Sequence, residues 1–81
     1  MIDVVIPSGL RAFTGVEHVE LAARDVRGVV AALDVRFPGF AERLGDRFAV
    51  AIDGEIVQEA WLELVPTGSE LHFLPQIAGG A

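Results

Sequence analysis

Apolar and polar positions alternate at the start of the chain. Ile2, Val4 and Ile6 fall on one side of an extended segment and Asp3 and Val5 on the other, which predicts a first strand from Met1 to Pro7. Pro7-Ser8-Gly9 breaks it, and Leu10 to Gly15 reads as a loop or short turn that buries Leu10 and Phe13. A second strand follows from about Val16 to Leu21, with Val19 and Leu21 facing one way and Glu20 the other, so the two strands can pair as an antiparallel hairpin. The period then changes. Val26, Val29, Val30, Leu33 and Phe37 recur at spacings of three and four, the apolar stripe of a helix over Val26 to Phe37. Asp25 is placed to cap that helix, and Pro38-Gly39 to stop it. Gly28 costs the helix about 1 kcal/mol relative to alanine and sits where a capping box prefers glutamate, so the helix depends on packing.

Phe40 to Gly45 is a short connector of about one helical turn anchored by Phe40 and Leu44. Phe48 to Ile52 is apolar throughout and predicts a central third strand, whose inward register the pattern leaves open. Asp53-Gly54 signals a tight turn into a short fourth strand, Glu55 to Gln58. Trp61, Leu62 and Leu64 are expected to close one edge of the core, and Pro66 to Ser69 turns the chain into a last strand in which Leu71 and Phe73 alternate with His72 and Leu74. Pro75 ends regular pairing. The expected architecture is α+β, a mixed sheet of four to five strands crossed on one face by one main helix. It forms a single domain over residues 1–75, with a C-terminal tail over 76–81.

One helix cannot cover both faces of such a sheet. With the first and last strands side by side and parallel at the centre, the uncovered face is expected to present Val5, His72 and Leu74, with Phe40 nearby, as a docking surface. The segment Pro75, Gln76, Ile77 and Ala78 leads from that surface into the tail.

The chain has 81 residues, 52% of them hydrophobic, enough for one small core. No apolar run approaches the roughly 20 residues of a membrane span, and no secretory leader opens the chain, so a cytoplasmic protein is expected. Cysteine is absent, which excludes disulfides, a thiol nucleophile and thiolate metal sites. His18 and His72 alone fall short of a metal ligand set. Twelve acidic residues against six arginines give a net charge of −6, which argues against nucleic acid and favours a basic protein partner. Lysine is also absent, leaving the α-amino group as the only amine for acylation. No nucleophile, base and oxyanion-donor set can be assembled, so the chain is not expected to be an enzyme.

The chemistry of interest lies at the end. Gly79 and Gly80 have no side chains to clash with a narrow channel, so an extended Gly-Gly tail can thread into another protein's active site. Taken alone, Gly79-Gly80-Ala81 is also what an ordinary chain end looks like.

The order of elements, the exit Phe37-Pro38-Gly39, the turn Val50 to Glu55 and above all the block Gly68 to Gly80 resemble the β-grasp sulfur carriers. These relatives of ubiquitin include the small subunit of molybdopterin synthase, the closer match, and the thiamine-pathway carrier. Asp53 stands where the family commonly has asparagine, and Ser69 where it commonly has an acidic residue. The resemblance implies that the carboxylate of Gly80 is adenylated by a ubiquitin-activating-type enzyme that uses ATP and is then converted to a thiocarboxylate. Gly79 lets the tail pass, and the sulfur goes to an acceptor such as the molybdopterin synthase large subunit. It implies no permanently bound cofactor. The rival expectation is a ubiquitin-like modifier or binding module that uses the same sheet face. Ala81 departs from the pattern, because it turns the Gly80 carboxylate into a peptide bond. Four explanations stand open: a peptidase trims it, it is a remnant foreign to the natural chain, its own carboxylate is used, or carrier chemistry has been lost.

Overall fold

A computed structural model describes residues 1–45 and 47–75. The first strand, β1 (Ile2–Val5), buries Ile2 and Val4 and leaves Asp3 and Val5 on the opposite side, as its alternation requires. It pairs antiparallel with β2 (His18–Leu21), which begins later than the sequence pattern suggests and leaves Val16 outside the sheet. The intervening loop holds a 3-10 turn, Ser8–Leu10, and a one-turn helix α1 (Arg11–Thr14), with Leu10 and Phe13 partly buried against the core.

The main helix, α2 (Val26–Arg36), lies across one face of the sheet and buries Val26, Val29, Val30 and Leu33. The Asp25 carboxylate caps it by accepting the Gly28 amide at 2.8 Å. That contact also accounts for Gly28: a Cβ there would stand 3.1 Å from Asp25 Oδ1, so the helix gain from alanine would crowd the cap. Replacing Asp25 with alanine is expected to lower stability by about 1 kcal/mol, read as a lower urea midpoint at unchanged slope.

A second carboxylate shapes the next connection. Asp34 Oδ1 accepts the amides of Gly39 (3.2 Å) and Ala41 (3.0 Å), folding the chain back into α3 (Phe40–Leu44). This places Phe40 on the helical side of the sheet with none of its surface exposed, its ring 6.2 Å from that of Phe73. The expectation that Phe40 lies near the uncovered face is therefore wrong: it is a core residue.

β3 (Phe48–Ile52) turns at Asp53-Gly54 into β4 (Glu55–Val57), and both turn residues take positive φ, 49° and 87°, the geometry of a two-residue hairpin. The last strand, β5 (Glu70–Pro75), inserts between β1 and β3, parallel to the first and antiparallel to the second. The sheet order is β2-β1-β5-β3-β4, with β1 and β5 adjacent and parallel at its centre as expected. Register fixes the inward set of β3 as Phe48 and Val50, opposite Phe73 on β5 and Val57 on β4. Phe73 meets Phe48 edge-on at 5.5 Å.

Between β4 and β5 the expectation fails for Leu62 and Leu64 and holds only at the rim for Trp61. Trp61, Leu62 and Leu64 are 44%, 71% and 62% exposed, and it is Ala60 and Val65 that enter the core. A 3-10 turn, Ala60–Leu62, follows Glu59, whose φ of 52° redirects the chain so that Ala60 is buried, while the half-exposed Trp61 keeps an edge-on contact with Phe48 at 6.0 Å. Backbone bonds from Val26 to Glu63 and from Val65 to Arg24, both 3.0 Å, then tie the segment to the start of α2. No described helix is long and apolar enough to cross a membrane.

Candidate functional site

The side of the sheet away from α2 is built by strand register into transverse rows. Partners across β1, β2 and β5 place Glu20, Asp3 and Glu70 in one row. The next row runs His18, Val5, His72, Ala51 and Ile56 across all five strands. The last pairs Ala49 with Leu74, the position beside Pro75, where the described part of the chain ends. The face is thus graded along the strands: acidic at one end, mixed in the middle and apolar where the C-terminal segment begins.

Histidines link the first two rows. His18 Nδ1 lies 3.3 Å from Asp3 Oδ1, and His72 Nε2 donates to Glu70 Oε1 at 2.9 Å. Both pairs are exposed and of small energetic weight. Val5, between the two histidines, is half-buried, and Leu74 is 38% exposed. Ile56 on the edge strand is 63% exposed, and the sequence reading did not include it or Ala51 in this face. Adjacent Ile56 and Val57 give β4 no alternation to read, and only the pairing of Ile56 with Ala51 shows which face it joins.

Of the expected contact residues, the fold brings Val5, His72 and Leu74 together on one surface and sends Phe40 to the core. The backbone of Pro75 closes β5 opposite Phe48. Gln76, Ile77, Ala78, Gly79 and Gly80 lie outside the described residues. Among the described residues no group of three or more acidic or histidine side chains is arranged to hold a metal ion. The arrangement is an open sheet face whose apolar end adjoins Pro75.

Comparison with solved structures places the same architecture in several proteins. A chain from the crystal structure of the Amycolatopsis orientalis BexX/CysO complex superposes with a TM-score of 0.83 at 28% identity, covering 99% of this chain and 100% of that one. Mycobacterium tuberculosis CysO gives 0.81 at 21% identity over 95% of this chain and 100% of its own. The small archaeal modifier protein 1 from Methanosarcina acetivorans gives 0.80 at 19% identity over 98% and 95%. A search of curated proteins finds no match. The model of the ThiS family matches residues 4–80, nearly the whole sequence and as far as the second glycine of the tail. The chain therefore belongs to the ThiS family of β-grasp sulfur carriers.

Proposed function

We propose that this protein is a cytoplasmic sulfur carrier whose reacting group is the carboxylate of Gly80, released when a peptidase removes Ala81. The observation that carries the reading is the parallel pairing of β1 with β5, which puts the apolar end of the open face beside the residue from which the tail departs. A partner that seats on Val5 and Leu74 then has the tail delivered to its own active site. The match of the family model as far as Gly80 supports the same terminus.

The chemistry is as follows. A carboxylate is a poor electrophile until one oxygen becomes part of a good leaving group. Attack of the Gly80 carboxylate on the α-phosphorus of ATP, in the site of a ubiquitin-activating-type enzyme, forms an acyl-adenylate and expels pyrophosphate. A hydrosulfide equivalent then attacks the acyl carbon, AMP leaves, and a thiocarboxylate remains. This chain supplies the reachable terminus and the recognised surface, and the partner supplies the catalytic groups. The acidic row Glu20, Asp3 and Glu70 suits a partner that is basic beyond the mouth of its channel. The acceptor is a sulfur-consuming synthase of the molybdopterin type. The Amycolatopsis relative, solved in complex with BexX, supports action through a protein partner.

The test compares residues 1–80 with the full chain in the presence of the adenylating enzyme from the same cells and ATP. Pyrophosphate release is expected from the shortened chain alone. Equal release from both would assign the reaction to Ala81 or to another group, and release from neither would refute the carrier reading. Tails found joined to lysines of other proteins would make the chain a modifier instead.

A further inference from the structure

A second surface lies at the β3–β4 edge, at the turn of the hairpin and away from Pro75. The hairpin and the segment after Leu62 enclose an open groove of about 360 Å³ whose apolar floor includes Ile52, Val57 and Leu64. Asp53, Glu55 and Glu63 stand around it, and no basic residue lines it among the described residues. Arg24 lines a neighbouring concavity instead.

The groove is a fixed feature of the backbone. Asp53 is held by the turn and by the Glu70 amide, which donates to its Oδ1 at 2.9 Å. Glu63 and Leu64 are clamped by the two backbone bonds to α2 and by the bridge between Asp25 and Leu64. Leu62 and Leu64 are therefore exposed by construction, not by fraying. Among the described residues no arginine forms an ion pair with any carboxylate, and Glu55 and Glu63 have no charge partner there.

We propose that this groove docks a segment of a partner protein carrying arginine or lysine beside apolar side chains. The aliphatic stem of the basic residue lies along Val57 and Leu64, and its head group sits among Asp53, Glu55 and Glu63. Charge selects this occupant. A second copy brings the same three carboxylates to the contact, and a nucleic acid or anionic lipid is repelled by them.

The test is an NMR titration of the ¹⁵N-labelled full chain with the capped pentapeptide Leu-Arg-Leu-Arg-Leu and its counterpart Leu-Glu-Leu-Glu-Leu. Saturable shifts are expected at the amides of Val57, Glu63 and Leu64 with the first peptide only. The exposed substitution Leu64→Ser and the pair Glu55→Gln with Glu63→Gln should each weaken binding about tenfold, the size of a lost central contact. Equal responses to both peptides, or shifts confined to Val5, Ala51 and Leu74, would overturn the proposal. Shifts at Leu64 that depend on protein concentration without peptide would do so too, by making a second copy the occupant. The proposal uses none of residues 76–81, so its outcome is independent of the reading of Gly80.

Discussion

Replacing Phe40 with alanine is expected to destabilise the protein by about 3–5 kcal/mol, the usual consequence of emptying a fully buried aromatic site. Phe40 has no exposed surface and stacks at a tilt on Phe73, which in turn meets Phe48, so its ring belongs to the aromatic set between α3 and the sheet. A chain of this length has a total stability on the order of 4–12 kcal/mol, and the variant should be largely unfolded at modest urea. Phe40→Leu, which keeps apolar volume, should cost clearly less. Urea midpoints of the two variants check this. An alanine variant as stable as the parent, with impaired partner binding, would return Phe40 to the docking face.

The second large effect is functional and leaves the fold alone. Gly79→Val is expected to slow formation of the Gly80 thiocarboxylate on the order of 100-fold, because a branched side chain restricts the backbone and displaces the acyl carbon from the attacking atom. Stability should change by less than about 0.5 kcal/mol, since the substitution lies beyond the last strand. Single-turnover rates with the activating enzyme, on chains ending at Gly80, separate the two readouts. Wild-type rates from the valine variant would remove the narrow-channel argument for the glycine pair.

Much of the fold was readable because it rests on period. Alternation in Ile2 to Ile6 and in Leu71 to Leu74, the stripe from Val26 to Leu33 and the Asp53-Gly54 turn each report a local geometry that the sheet and helix then use. Phe40 was misplaced because a helix of five residues is too short for a period to point anywhere. Its direction is set by Asp34 reaching five and seven residues ahead to the amides of Gly39 and Ala41. Leu62 and Leu64 misled for a related reason: hydrophobicity suggests burial, but the left-handed residue Glu59 and the backbone bridge to the start of α2 turn them outward. The open face was half legible. Val5, His72 and Leu74 followed from alternation, whereas the acidic row and the inclusion of Ala51 and Ile56 depend on pairing between strands distant in sequence.

These features divide the labour of the molecule. The core that includes Phe40 holds β5 at the centre of the sheet, and β5 carries the chain along the open face as far as Pro75. The proposed docking groove lies at the β3–β4 edge, at the hairpin turn and away from Pro75.

Intact-mass analysis of the protein from its native cells, with its pathway active, tests the central claim most directly. The account predicts a species that has lost its terminal alanine and gained about 16 Da, the exchange of one carboxylate oxygen for sulfur on an activated acyl group. A population that keeps Ala81 throughout, with no sulfur-bearing form, would contradict it.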